Sequence, residues 1–242
     1  MSRATTSQAS AATPILVVES PKNRVLVYED RVEKTFVTGR GCARKARREA
    51  AALRALAGIA GVPVLRELAQ GGSCVIMSRL HGTTLAEHGV AQHGVAQHAV
   101  AASTLASLRI LVEQMLERGV ARHSLPHRDI LVLPDGSAGL VDFERSTLRL
   151  FPCEPSWLLA RSITRFHLLR LIGELAPELL TPREQRKLGR QLALRAALQR
   201  PMKLRRKLAR SLRAARARIF SPLPPSTTLP PSTPLPRSDG RE

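Results

Sequence analysis

Two aspartates, Asp129 and Asp142, lie thirteen residues apart and flank a predicted β-hairpin. Its strands are Ile130 to Leu133 and Ala138 to Val141, joined by a Pro134-Asp135-Gly136 turn, because Pro fixes φ and Gly accepts a positive φ. We expect this hairpin to bring the two carboxylates towards one cleft. Carboxylate oxygens are ligands that Mg²⁺ prefers, so the pair could share one or two metal ions.

The phrase VDFE, which contains Asp142, resembles the D-F-G element of the protein-kinase-like superfamily, whose Asp holds Mg²⁺ against nucleotide phosphates. The literal match at His127-Arg128-Asp129 does not fit the family spacing H-R-D-x-x-x-x-N, because Pro134 would occupy the Asn position. The register that fits aligns Asp129 with the metal-binding Asn and Ser124 with the catalytic Asp. The resemblance therefore implies metal ligation by Asp129 and Asp142, and a serine where the carboxylate base is expected.

The preceding residues follow the order of elements in the N-lobe of these kinases. Strands are predicted at Ile15–Val18, Val25–Tyr28, Val32–Val37, Val64–Leu68 and Cys74–Met77, with a helix at Ala43–Ala57 after the third strand. In the family, a lysine on the third strand binds the α- and β-phosphates and pairs with a glutamate on the following helix. The resemblance implies these roles for Lys34 and Glu49. No G-x-G-x-x-G occurs near Ser20 to Arg24, so the phosphate-covering loop departs from the family.

The resemblance covers about Val25 to Leu175 and is nearest to small bacterial kinases of the lipopolysaccharide (Kdo/heptose) type. It implies an α+β, bilobal fold with a small β-rich N-lobe and a helical C-lobe. Helices are predicted at Leu105–Val120, Trp157–Leu175 and Thr181–Leu198. The expected organisation is a disordered segment at 1–13, an N-lobe at 14–80, a C-lobe at 81–200, a basic amphipathic helix at 201–220 and a disordered Pro-rich tail at 221–242.

The net charge of +19 is concentrated near the C-terminus, because Arg183 to Arg218 contain fourteen Lys or Arg and one acid. Within that region, the predicted helix Met202–Ile219 combines a narrow apolar stripe with eight cations, the pattern of a helix lying on an anionic inner-membrane surface. The alternative is that the stripe packs on the C-lobe and the charges are solvated. Residues 183 to 219 contain no aromatic side chain, which argues against recognition of single-stranded nucleic acid but not against nonspecific phosphate contacts.

The cysteine and hydropathy patterns bear on location. Three widely spaced cysteines without a C-x-x-C pattern indicate a reducing compartment and no zinc site. No apolar run approaches the roughly 20 residues that span a bilayer, and no apolar core of a signal peptide follows the N-terminus. The expected location is cytoplasmic, with peripheral attachment to the inner face of the membrane through residues 202–219.

Three functions remain open at this point. The first is an ATP- and Mg²⁺-dependent phosphotransferase acting on a hydroxyl of a sugar, a lipid-linked sugar or a protein, with Ser124 at the position of the base. Its loose transition state depends mostly on positioning and charge, so a missing base need not abolish transfer. The second is a pseudokinase or scaffold, and the third a nonspecific nucleic-acid-binding protein. Ser124→Asp separates the first two, because a restored carboxylate should raise activity only in an otherwise intact site. The sequence leaves the oligomeric state open.

Overall fold

The computed structural model describes residues 13–37, 41–87, 97–151 and 154–197 of the 242-residue chain. These residues form an α+β structure, with an antiparallel sheet in the N-terminal part and mainly helices in the C-terminal part. The chain divides into two compact units, Met1–Gln191 and Leu192–Glu242. The predicted basic helix at 201–220 and the tail at 221–242 lie outside the described residues, as does the N-terminal segment up to residue 12.

A five-stranded antiparallel sheet forms the N-terminal part, with strand order β1-β2-β3-β5-β4. Its strands are β1 Leu16–Glu19, β2 Asn23–Val27, β3 Arg31–Phe36, β4 Leu65–Ala69 and β5 Cys74–Ser78. Alternation along β3 buries Lys34 and Phe36 on the same face of the sheet, since successive side chains of a strand point to opposite faces. Lys34 stands opposite Val25 of β2 and Val75 of β5. The register therefore sets this lysine in the middle of the sheet.

Helix α1, Cys42–Ala55, packs against β3, β4 and β5. Its buried side chains include Ala46, Glu49, Ala50 and Leu53, the i, i+3, i+4, i+7 spacing of one helix face. Three of these four residues are apolar, and the fourth carries a carboxylate. The packing face of α1 therefore holds a buried acid directed at the sheet that contains Lys34.

Two long helices and short strands form the rest of the first unit. The helices are α2 Gln97–Glu117 and α3 Pro155–Leu175; residues 182–191 are also helical. The strands are β6 Thr83–Thr84, β7 Val120–Arg122, β8 Ile130–Val132, β9 Ala138–Leu140 and β10 Ser146–Leu148. They form a three-stranded sheet β6-β8-β9 and a two-stranded sheet β10-β7. The predicted hairpin is thus present as β8 and β9.

A glycine joins the segment after α1 to this hairpin. The Leu140 N–H donates to the carbonyl of Gly61 at 2.7 Å, and a Cβ built on Gly61 would lie 2.4 Å from the carbonyl oxygen of Ala138. Its φ of +80° also favours glycine. The backbone at Gly61 therefore lies directly against β9, whose last residue, Leu140, precedes Asp142 by two positions.

One hydrophobic core, rich in Leu, Val and Ala, runs through the first unit. Its largest fully buried members include Leu53, Leu105, Met115, Leu140 and Phe143, and they come from α1, α2, β9 and the residues after β9. Because α1, α2 and the hairpin share this core, their relative positions are fixed by packing.

Within the described part of the chain, no helix is both long enough and apolar enough to cross a membrane.

Candidate functional site

Lys34 and Glu49 form a buried ion pair between β3 and α1. The Lys34 Nζ lies 3.0 Å from Glu49 Oε2 and donates a hydrogen bond of 3.3 Å to Oε1. Both side chains are buried, and the Nζ also lies 5.1 Å from the centroid of the Phe36 ring. The Lys34–Glu49 pair that the resemblance implied is therefore present in the structure.

Asp142 completes a three-residue group around the same ammonium. It follows β9, and its Oδ1 accepts a hydrogen bond of 2.7 Å from Lys34 Nζ. The next backbone N–H, that of Phe143, donates to Glu49 Oε1 at 3.1 Å. The hairpin end is thus bonded to both members of the Lys34–Glu49 pair, and Lys34, Glu49 and Asp142 meet at one point.

The backbone of Asp142 is left-handed, with φ of 65°, and among the described residues no other non-glycine residue has a positive φ. This conformation costs roughly 1 kcal/mol or more for most side chains, although Asp tolerates it better than β-branched residues. Local strain at the residue that contacts Lys34 indicates that the surrounding contacts hold it in place. The aspartate is therefore oriented by the fold and not by its own conformational preference.

A further carboxylate, Glu144, lies at the edge of this group. Its Oε2 is 3.7 Å from Lys34 Nζ and accepts a hydrogen bond of 3.3 Å from Asn23 Nδ2. Asn23 opens β2, immediately after the turn that joins it to β1. Neither residue was predicted to belong to the site, and their contact ties the β1–β2 turn to the segment after Asp142.

Burial and charge act in opposite directions on these groups. Burial alone would lower the pKa of Lys34, but Glu49 and Asp142 outweigh it and raise that pKa. Burial would likewise raise the pKa of Asp142, but Lys34 and Arg122 lower it overall. Burial raises the pKa of Glu49 in spite of Lys34. The raised pKa favours the ammonium form of Lys34 and the lowered pKa favours the carboxylate form of Asp142, the forms that can bind phosphate and metal.

Asp129 is held by a buried arginine that the sequence reasoning missed. Arg122, on β7, donates from one guanidinium nitrogen to Asp129 Oδ2 at 2.7 Å and from another to the Val141 carbonyl at 2.9 Å. The guanidinium also lies 5.3 Å from the centroid of the Phe143 ring. Arg122 therefore connects Asp129 to the residues on both sides of Asp142.

The main chain completes this connection. The Val141 N–H donates to the Asp129 carbonyl at 3.0 Å, and the Asp142 charge contributes to the raised pKa of Asp129, of which burial is the first cause. The Thr164 hydroxyl of α3 bonds both the N–H and the carbonyl of Arg122, at 2.9 and 2.7 Å. The structure thus brings Asp129 to the same site as Lys34, Glu49 and Asp142, through Arg122 and the backbone.

Ser124 is placed differently from the other predicted residues. It is exposed, and together with Leu125 it lines an open cavity between the loop after β7 and helix α3. It shares the loop with Asp129 but does not belong to the buried network. The side chain at this position supplies a hydroxyl and no carboxylate.

The residues present fit one Mg²⁺ together with a ligand that brings its own oxygens. Over the described residues, no group of three or more His, Cys, Asp or Glu side chains could hold a metal ion by itself. Mg²⁺ in nucleotide sites usually takes one or two protein carboxylates and completes its shell with phosphate oxygens and water. Asp129 and Asp142 supply two such carboxylates. Four acids (Glu49, Asp129, Asp142 and Glu144) lie beside three cations (Lys34, Arg122 and Arg128), and this excess of carboxylates favours a divalent ion.

Comparison with models of protein families and with curated proteins finds no match to this chain. The functional assignment is therefore based on the geometry of the site and on the spacing of its residues.

Proposed function

We propose that this protein is an ATP-dependent phosphotransferase of the protein-kinase-like superfamily, with a bilobal arrangement of a small β-rich N-lobe and a helical C-lobe. The observation that supports it most is the double ion pair at Lys34 Nζ, which pairs with Glu49 of α1 and with Asp142 at the hairpin end. An ordinary strand lysine would be solvated, whereas this one is buried among acids from two distant segments. Such an arrangement is suited to orienting an ammonium towards phosphate groups.

Each residue has a defined part in this proposal. Lys34 binds the α- and β-phosphates, and Glu49 keeps the lysine in position and protonated. Asp142 and Asp129 hold Mg²⁺, which when bound neutralises charge on the phosphates. Arg122 offsets the extra negative charge that an aspartate brings to the usual Asn position. The acceptor is a hydroxyl of a sugar, a lipid-linked sugar or a protein.

The bonds that change involve the acceptor and not a side chain. The acceptor's hydroxyl oxygen bonds to the γ-phosphorus, the bond from that phosphorus to the ADP oxygen breaks, and the hydroxyl proton passes to solvent. Ser124 offers no carboxylate to accept this proton, so the proposal relies on positioning and charge stabilisation, which dominate loose phosphoryl-transfer transition states. Turnover is expected to be slow.

A second function, nucleotide binding without transfer, is favoured by the same serine. A pseudokinase would keep the buried Lys34–Glu49–Asp142 group for binding, and it would have no use for a base at Ser124. In either case we propose a cytoplasmic protein that attaches to the inner face of the membrane through residues 202–219, which lie outside the described residues.

Titration of the full chain with the ATP analogue AMP-PNP, with and without Mg²⁺, tests the proposal. Wild-type protein should bind the analogue more tightly when Mg²⁺ is present, and Lys34→Met should lose most of that binding. The control is Lys187→Met, which removes an exposed lysine from the helix over residues 182–191. No binding by the wild type, or equal losses in both variants, would refute nucleotide binding at Lys34.

A further inference from the structure

The cavity beside Ser124 has a volume of about 460 Å³, within the range of small-ligand sites. One wall is the loop from Ser124 to Arg128, and the other is the C-terminal half of α3. Buried Leu125 and Leu171 supply apolar surface. The polar side chains that line it are Ser124, His127, Arg128, His167, Arg170 and Glu174.

The charge of this lining is biased towards cations. The charge of Arg170 is balanced by Glu174, because its Nε donates to Glu174 Oε1 at 2.7 Å on the same helix. Arg128 is not matched in the same way. Its Nε lies 3.6 Å from Asp129 Oδ1, beyond hydrogen-bond distance, and its side chain is 81% exposed. This contact is a loose ion pair with a carboxylate whose other oxygen, Oδ2, is bonded to Arg122 at 2.7 Å, and the N–H groups of the exposed Arg128 guanidinium can still donate to a ligand.

We infer that this cavity binds the anionic group, phosphate or carboxylate, of a small acceptor whose hydroxyl is to be phosphorylated, and that Arg128 is its main ligand. The inference rests on the proposed function, because it takes the loop around Ser124 as the acceptor side of the site. A guanidinium presents paired N–H donors that match phosphate and carboxylate oxygens.

The other lining groups fit the same class of ligand. The imidazoles of His127 and His167 and the hydroxyl of Ser124 can hydrogen-bond a polar, hydroxylated molecule, whereas Leu125 and Leu171 contact its carbon skeleton. The cavity therefore fits a compact, hydroxylated anion, either free or at the head of a lipid.

Binding to the cavity can be measured without nucleotide. The full chain is titrated calorimetrically with glycerol 3-phosphate and with glycerate, which carry a phosphate or a carboxylate beside hydroxyls, and with glycerol as the neutral match. The same titration is carried out with vesicles of phosphatidylglycerol. Each titration is repeated on Arg128→Gln and on the control Arg118→Gln, which removes an exposed arginine outside the cavity.

We expect the anionic probes to bind, glycerol not to bind, and Arg128→Gln to weaken binding roughly tenfold or more, as loss of a charge-assisted contact implies. Arg118→Gln should leave binding unchanged. Arg128-dependent binding of glycerol 3-phosphate or glycerate identifies a free acceptor, and Arg128-dependent binding of vesicles alone identifies a lipid headgroup; both support the inference.

Flat titrations with every anionic probe, or equal weakening by the two arginine variants, overturn the inference. These results are separable from failure of the proposed function. If AMP-PNP binds and the anionic probes do not, only the acceptor inference fails. If the probes bind in the cavity and AMP-PNP does not bind, the proposed phosphotransferase fails.

Discussion

The buried group around Lys34 and the open loop around Ser124 differ in how their charges are matched. In the buried group, Lys34 contacts Glu49 and Asp142 within 3.0 Å, and Arg122 contacts Asp129 at 2.7 Å. On the loop, Arg128 lies exposed with no acid within hydrogen-bond distance among the described residues. The chain itself matches the charges of the first region, whereas Arg128 in the second has only a loose ion pair with Asp129, at 3.6 Å.

This difference indicates which functions the fold constrains. A buried ion pair must be kept whole, because removal of one partner leaves a charge without compensation in a low-dielectric environment. An exposed arginine carries no such penalty and can be exchanged at little cost in stability. In the proposed function, the phosphate side of the site is thus tied to folding, whereas the proposed acceptor side can vary without loss of stability.

The largest effect that separates the two regions should be on stability. Arg122→Met removes the partner of buried Asp129, and we expect it to lower the free energy of unfolding by about 3–5 kcal/mol. Arg128→Gln, on the exposed loop, should change it by less than about 0.5 kcal/mol. Urea denaturation of the wild type and both variants measures the difference.

A matched double variant identifies the cause. If Arg122 acts by offsetting the charge of Asp129, then Arg122→Met combined with Asp129→Asn should recover a large part of the lost stability, because no buried charge remains unpaired. Equal destabilisation of the single and double variants would show that Arg122 acts through packing against Phe143 and not through charge.

The second effect concerns metal-dependent nucleotide binding. Asp142→Asn keeps the side-chain shape and a residue that tolerates the left-handed backbone, but it removes the anionic ligand. We expect it to weaken Mg²⁺-dependent AMP-PNP binding on the order of 100-fold, since loss of a metal ligand should cost at least as much as loss of an outer-shell partner. Ser124→Ala should leave binding within about twofold of the wild type, a difference of less than roughly 0.5 kcal/mol. Similar losses in the two variants would show that Ser124 and not only Asp142 belongs to the nucleotide side.

Most elements of the site region could be predicted from sequence because local patterns determine them. Short strand-like runs bounded by turn residues predicted β2, β3 and β5, and two apolar runs around the Pro134-Asp135-Gly136 turn predicted β8 and β9; the structure contains all five. The pairing of Lys34 with Glu49 followed from the order of strand and helix in the family that the chain resembles. The three-residue strands β7 and β10 were not predicted, because they are too short to show a period.

Arg122 and Glu144 were not predicted to belong to the site, and both were missed for the same physical reason. In sequence, Arg122 and Glu144 look like solvated charges beside a loop, and only the fold shows that Arg122 is buried and paired. One signal was available for Arg122, because it directly follows the apolar pair Val120-Ala121 and so continues a buried segment. The cavity could not be predicted, because its walls come from two separate segments; Ser124 and Arg170, for example, lie 46 positions apart.

The smallest predicted effect is a pH dependence that distinguishes Asp129 from Asp142, the two carboxylates proposed to bind Mg²⁺. Burial raises the pKa of Asp129 above its ordinary 3.8, whereas Lys34 and Arg122 lower that of Asp142. As pH falls, Asp129 therefore takes up a proton first, at a pH above 3.8, while Asp142 is still ionised. In terms of stability, the folded state binds this proton more tightly than the unfolded chain, so the contribution of Asp129 to folding decreases as pH rises through its raised pKa.

Metal binding, in contrast, should strengthen as pH rises, because a carboxylate must be deprotonated before it binds the metal. Mg²⁺-dependent AMP-PNP binding is expected to weaken by up to about tenfold per pH unit once pH falls below the pKa of Asp129, and to do so before the protein unfolds. Titrations from about pH 7.5 down to about pH 4, a range that brackets perturbed carboxyl groups, measure this step. Asp129→Asn removes the titrating group, so its binding should be weaker at neutral pH but flat across the same range. A variant that retains the step would assign it to Glu49, the other carboxyl whose pKa burial raises.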